Sequence, residues 1–212
     1  MGVSLLTTCS HPEAVNSLFG RIGSELLANH VMITRPWGNK SSYIPSNLKA
    51  IVAKEFPFFD NGERTSEHRV DAVFFCGAGK STTFRNENFT VGVEVKVTRE
   101  NLFCDQKIPA YFNRTDYFYL AVPDKMLDLG LMKASPWNHV GVVSLNSGRI
   151  FKPALRQFPA ERERIAILER LLLEKSHIEI VAPIDSTKPG LSIMEDLPKV
   201  DWSNGYPCYV RS

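Results

Sequence analysis

Asp71, Glu94 and Lys96 are the three residues of this chain whose types and spacing could do chemistry together. Val91, Val93, Val95 and Val97 alternate with Gly92, Glu94, Lys96 and Thr98, the two-residue period of a strand with one apolar face and one chemically equipped face. A Glu-x-Lys pair inside so apolar a strand costs desolvation energy unless its charges are paired or hold a metal. Upstream, Arg69 to Phe75 reads as a second strand, close enough to form a hairpin with the first and bring Asp71 beside Glu94. Two carboxylates about 4 Å apart repel by roughly 4 kcal/mol at an effective dielectric of about 20, so the pair calls for a cation. Lys96 supplies one positive charge; a divalent metal supplies two. The bland alternative is a buried ion-pair network that does no chemistry.

The pattern of an Asp, a variable spacer and then Glu-x-Lys resembles the PD-(D/E)xK nuclease superfamily at Asp71, Glu94 and Lys96. The continuation sharpens the likeness: Lys96-Val97-Thr98-Arg99, Asp105-Gln106-Lys107, Pro109, Tyr111, Asp116-Tyr117-Phe118-Tyr119 and Ala121-Val122-Pro123 resemble the MmcB-type nucleases assigned to DNA repair. The likeness covers residues 69–123, with Ile108 where a Trp is usual and Asn101 where an Asp is usual. It implies a restriction-endonuclease-like core and a metal-dependent DNA endonuclease. On that reading Asp71, Glu94 and the backbone carbonyl of Val95 hold Mg²⁺ or Mn²⁺ through oxygen ligands. Lys96 orients or deprotonates the attacking water and offsets phosphate charge, the base role requiring its pKa to fall under the influence of the nearby metal. Lys107 and Gln106 belong to the surround of the site, and Arg99 and Lys107 face DNA. Many superfamily members place an extra Glu on the first helix. Glu25 is the candidate here, with Glu55 behind it.

The elements that must position these residues follow from periodicity and punctuation. Ser10, Pro12 and Glu13 form a capping box opening a helix over residues 10–29, with Ala14, Val15, Leu18, Ile22 and Leu26 as its apolar stripe. At 100° per residue Glu25 falls on the edge of that stripe, whereas Glu13 points away; a surface Glu is the alternative. Met32, Ile33 and Thr34 suggest a short strand, residues 37–40 a loop, and Pro45 with Ser46 a second helix burying Leu48, Ile51 and Val52 and ending near Pro57. Residues 60–63 read as a turn. Gly77-Ala78-Gly79-Lys80-Ser81-Thr82 resembles a P-loop, but the first glycine of that pattern is replaced by Phe74 and no apolar helix follows, so a hairpin turn is expected and no nucleotide cofactor.

Beyond the central strand, a helix over residues 105–113 is expected, bent or shortened by Pro109. A buried strand over 117–122, a helix over 124–134, a strand over 140–145, a turn at Asn146-Ser147-Gly148 into residues 149–151, a helix over 161–176 and an edge strand over 178–181 follow. Arg149, Lys152, Arg156, Arg162 and Arg164 form the densest basic run, a candidate phosphate contact diluted by Glu161 and Glu163; a solvated face is the alternative. The order predicts an α/β fold with a mixed central sheet flanked by helices over residues 1–182. Residues 183–212, rich in Pro, Gly and Ser, are expected to be an irregular extension packed on it.

The 212 residues carry a net charge of +2, so attraction to DNA must come from a local patch rather than the whole-molecule field. Cys9, Cys76, Cys104 and Cys208 form no CxxC pair and share no zinc-ligand spacing with the five His, which argues against zinc and for free thiols in a reducing cytoplasm. No apolar run is long enough for a membrane span. The partner expected is DNA, with a homodimer left open. The rival readings are a nuclease-like fold that binds nucleic acid without cleaving it, and a P-loop nucleotide hydrolase using Lys80.

Overall fold

The computed structural model describes residues 10–34, 48–59, 67–78, 88–173, 178–181, 199–201 and 208–210. The expected turn at 60–63, the loop at 37–40 and Lys80 lie outside them. Two short helices open the fold, α1 (His11–Ser17) and α2 (Arg21–Thr34). Strands β1 (Leu48–Phe59), β2 (Glu67–Ala78) and β3 (Phe89–Val95) lead to α3 (Arg99–Cys104). Strand β4 (Tyr117–Val122), helix α4 (Leu127–Ala134), strands β5 (Val140–Ser144) and β6 (Ile150–Lys152), helix α5 (Glu161–Leu173) and strand β7 (Ile178–Val181) complete the main body.

Among the described residues these strands form a seven-stranded mixed sheet in the order β6-β5-β4-β3-β2-β1-β7. The parallel pairs β3/β4 and β4/β5 sit at its centre, and the other pairings are antiparallel. Helices cover both faces, so the expected α/β fold with a mixed sheet is the one observed. Leu18, which caps α1, and Leu26 of α2 pack with Val91, Val93 and Val95 on one face. Leu102, Ile108, Tyr111, Met126 and Ile167 cover Val73, Phe118, Leu120 and Val142 on the other. Burial on both faces explains why β3 and β4 read as nearly unbroken apolar runs.

Several local expectations are corrected. The single first helix is two, interrupted at residues 18–20, and Met32, Ile33 and Thr34 continue α2 rather than starting a strand. The helix expected after Pro45 is instead β1, all but one of whose residues pair with β2. Leu48, Ile51 and Val52 have helical spacing, but the long hairpin overrides that local signal. Pro57 is tolerated because β7 pairs only with residues 50–53, leaving Pro57 on an edge where, among the described residues, no second neighbour needs its N–H. The helix expected over residues 105–113 lies earlier: the Thr98 side chain accepts the Asn101 N–H at 3.2 Å and caps α3, while Pro109 falls in a 3-10 turn over Ile108–Tyr111. In the stretch expected to be irregular, β8 (Lys199–Asp201) and β9 (Cys208–Val210) pair as an antiparallel hairpin.

Candidate active site

The β2/β3 hairpin does what the alternation predicted. Its ladder runs from Cys76↔Phe89 to Ala72↔Val93 and stops there, leaving Asp71 and Glu94 at its open end. On the other side of β2, the ladder with β1 also misses Asp71: Lys54 pairs with Ala72 and Phe56 with Val70, while Glu55 between them adopts φ +47°. Asp71 therefore sits at an interruption on both sides. Its carboxylate replaces the missing backbone acceptor, with Oδ2 taking the Val95 N–H at 2.6 Å. Strand β3 stays anchored by its parallel neighbour, since the Lys96 N–H donates to the Ala121 carbonyl at 2.9 Å.

Glu94 projects to the face that Gly92 shares, where a Cβ on Gly92 would meet Thr115 Oγ1 at 3.0 Å and Phe118 at 3.1 Å. Its side chain is 6% exposed, and its Oε1 accepts from Lys96 Nζ at 2.7 Å. Its Oε2 is buried without a hydrogen-bond partner. Burial, and next the neighbouring Asp71 charge, push the Glu94 carboxyl up to about 7 against the opposing pull of Lys96.

Lys96 Nζ also stands 2.5 Å from Asp105 Oδ2, just past the end of α3. Burial disfavours the ammonium, but Glu94 and Asp105 outweigh that and hold the lysine above its ordinary pKa. In the absence of a metal this environment therefore holds Lys96 as a positive charge. Asp105 is desolvated as well, yet Lys96 and the Lys107 N–H, which donates to Oδ1 at 2.7 Å, keep its carboxyl below the usual range. Tyr111 closes the wall. Its hydroxyl donates to the Arg69 carbonyl at 2.6 Å and its ring stacks on Phe118 at 5.3 Å. Burial and the charges of Glu94, Asp105 and Asp71 keep that hydroxyl protonated.

The structure thus brings Asp71, Glu94, Val95 and Lys96 together and adds Asp105, Tyr111 and His11. His11 Nε2 lies 3.2 Å from Asp71 Oδ1, reached from the start of α1. Asp105 and Tyr111 stand in the motif run, but no spacing rule tied them to Glu94; nothing in the sequence linked His11 to residue 71. Gln106, Lys107 and Arg99 lie at the rim with exposed side chains, and the Arg99 guanidinium stands 6.0 Å from the Phe103 ring.

Two other expected groups are placed elsewhere. Glu25 faces Arg21 at 3.9 Å and lies against Gly148 of the β5–β6 turn, where a Cβ would come within 2.7 Å of its own. Strand β5 is two strands from β3, roughly 10 Å at ordinary strand spacing. Lys152, expected among phosphate-binding residues, is buried, and its ammonium donates to the carbonyls of Ala134 and Trp137, both at 2.7 Å. Arg149 lies 5.2 Å from the Phe151 ring. Arg156 and Arg164 converge on the buried Asp116 at 3.5 and 3.2 Å, which explains much of the basic run as internal pairing.

A divalent cation would be held by Asp71, Glu94 and the Val95 carbonyl. The orphaned Glu94 Oε2, buried near a second carboxylate, fits that role, and the oxygen donors suit Mg²⁺ or Mn²⁺. Among the described residues no three His, Cys, Asp or Glu side chains surround one point as they stand, because Glu94 Oε1 and Asp105 are drawn to Lys96.

No protein-family model matches the chain, and no curated protein matches it in sequence. Among solved structures it is similar to the SPO1766 protein of unknown function from Silicibacter pomeroyi, with 17% identity and a TM-score of 0.43 over 74% of this chain and 84% of that one. No helix among the described residues is long and apolar enough to cross a membrane.

Proposed function

We propose that this chain is a metal-dependent deoxyribonuclease with a restriction-endonuclease-like core, hydrolysing phosphodiester bonds of DNA. The observation that carries the reading is the buried Glu94 carboxylate, one oxygen on Lys96 and the other without a partner, beside Asp71 at the open end of the central hairpin. A buried acceptor left bare costs about 1–3 kcal/mol, and a cation is the group that would remove the penalty for both carboxylates. Mg²⁺ or Mn²⁺ bound there would polarise the phosphate and lower the pKa of a bound water.

The protein's own groups supply the rest. Asp71 is fixed by Val95 and His11, so its direction is set before any ligand arrives. Lys96, held charged, offsets negative charge developing on the phosphate and orients water through its ammonium, rather than removing a proton. Arg99 and Lys107, exposed at the rim, are placed to meet the flanking backbone phosphates of DNA. A reducing cytoplasm suits the free thiol of Cys104. A part in DNA repair rests on the family resemblance alone.

A second reading is favoured by one observation: Lys96 already pairs with both Glu94 and Asp105 without a metal, as in a purely structural network. The test measures cleavage of linear and branched DNA with Mg²⁺ and with Mn²⁺, beside thermal unfolding in the same ions. Cleavage that needs the cation and vanishes in Lys96→Met supports the nuclease. Wild-type protein that neither cuts DNA nor gains stability from either ion establishes the structural reading instead.

A further inference from the structure

We propose that Phe103 and Arg99 form a stacking site for an unpaired base beside the scissile phosphate, so that the preferred substrate is single-stranded DNA or a duplex with a single-stranded tail; this deepens the nuclease reading above and rests on it. Phe103 is 36% exposed on a six-residue helix whose one buried residue is Leu102. Arg99 lies four residues before it and so shares its face, with the guanidinium carbon over the ring at 6.0 Å. Direct contact between two such groups needs about 3.5–4 Å. Stacked bases stand about 3.4 Å apart, so a base between two flat groups needs them about 7 Å apart, roughly an ångström more than this pair. Arg99 is exposed, and a rotamer change in its long side chain supplies that ångström.

The ring is fixed relative to the candidate site. Thr98 caps the start of α3, and Leu102 anchors its inner side. From α4, the Lys133 ammonium donates to the Phe103 carbonyl at 3.4 Å and to the Asp105 carbonyl at 3.0 Å, holding the end of α3 in place. Asp105 Oδ2 in turn stands 2.5 Å from Lys96 Nζ. Two residues of chain span at most about 7 Å, the length of about two stacked nucleotides, so Phe103 stands that close along a strand to the phosphate that Lys96 would face.

The chemistry of the face selects nucleic acid, and within it the unpaired strand. Arg99 and Lys107 are exposed at this rim and complement phosphate, while Glu100 projects about 100° round the helix from Arg99. Inside a duplex each base face is covered by its neighbours, leaving only edges and phosphates within reach. An unpaired base offers its face, which aromatic rings and guanidinium planes stack on with little regard to sequence. The cations alone hold any DNA backbone; the ring adds discrimination for the unpaired strand.

The experiment uses the full chain in EDTA at low salt, with fluorescence anisotropy of oligothymidylate, a blunt duplex, and that duplex carrying a thymidine tail. Wild type is expected to bind the first and third more tightly than the blunt duplex. Phe103→Ala is expected to lose about tenfold or more on those two and little on the blunt duplex, with its salt dependence unchanged. Phe103→Trp is expected to retain the preference, which separates loss of stacking from loss of fold. Arg99→Gln is expected to weaken binding and make its salt dependence shallower. Equal loss on all three probes in Phe103→Ala, or no loss on any, overturns the stacking site; cleavage of DNA with Mn²⁺ by the same wild-type protein then leaves the nuclease reading standing. Phe103-dependent preference without cleavage in Mg²⁺ or Mn²⁺ supports the stacking site and overturns the nuclease reading. Wild-type protein that binds none of the three probes overturns the stacking site.

Discussion

The Asp71 carboxylate accepts the Val95 N–H at 2.6 Å, taking the place a β2 carbonyl would hold had the ladder run further. The acid therefore has a structural task as well as a charge, and the two separate by mutation. Asp71→Ala leaves the Val95 N–H bare, so a loss of about 1–3 kcal/mol is expected. Asp71→Asn keeps an acceptor and removes the repulsion on Glu94, so stability is expected to stay near wild type while the Glu94 pKa falls. Chemical denaturation of both variants and a carboxyl-carbon titration of Glu94 check this. Equal destabilisation by the two would show that the hydrogen bond is not what Asp71 contributes.

Glu94 gives the protein a pH-dependent stability. Its pKa is raised from an ordinary 4.5 to about 7 on folding, so the folded state holds a proton that the unfolded state has released between those values. The contribution is fully present below about 4.5 and is lost as pH rises to about 7, on the order of 3 kcal/mol across the window. Thermal unfolding without metal is expected to show this fall, and Glu94→Gln to flatten it. Added Mn²⁺ competes with that proton, so its stabilising effect is expected to grow as pH rises through about 7. A Mn²⁺ shift independent of pH would remove Glu94 from the ligand set.

Lys96→Met separates a catalytic from an inert trio. Removing the lysine leaves Glu94 and Asp105 buried without their shared cation, and a loss of about 3–5 kcal/mol is expected in metal-free buffer near pH 8. If Asp71 and Glu94 receive a metal, Mn²⁺ is expected to restore much of that stability while cleavage stays absent. Melting curves with and without the ion, run beside a DNA cleavage assay, read both outcomes. No recovery with Mn²⁺ counts against the site.

Lys152 titrates in the opposite sense. Burial lowers its pKa from 10.5 to about 8, so between those values the unfolded chain binds the extra proton and stability rises with pH. Lys152→Met is expected to lose that rise. It should also be destabilised at neutral pH, because the carbonyls of Ala134 and Trp137 lose their donor. The difference between wild-type and variant stability from pH 7.5 to 10.5 is the measurement, and a constant difference contradicts the assignment.

Asp71, Glu94 and Lys96 were legible in the sequence because a two-residue period fixes which side chains share a face, and a short hairpin fixes which residues meet across it. Strand β1 was not, because Leu48, Ile51 and Val52 carry helical spacing and only its partner β2 decides between the two periods. His11 was invisible for a different reason: its contact with Asp71 depends on how α1 lies across the sheet, which no local pattern encodes. Lys152 could have been read better. Ile150 and Lys152 share one side of β6, and the burial of Ile150 places the lysine inward despite the charged run around it.

The left-handed turn at Glu55 opposite Asp71 divides the long β1/β2 hairpin into two parts with different neighbours. On one side, residues 50–53 are paired on to β7 and residues 72–76 to β3, so those amides belong to the middle of the sheet. On the other, residues 56–59 and 67–70 pair, among the described residues, only with each other. A two-stranded ribbon opens at lower free energy than the sheet it leaves, so the hairpin should exchange its amide hydrogens as two blocks rather than one. The boundary would fall at Glu55 and Asp71, which puts the candidate ligand on the line between a slowly exchanging core and a faster arm. Asp71 then moves with whichever block holds its carboxylate, and through Val95 and His11 that is the core.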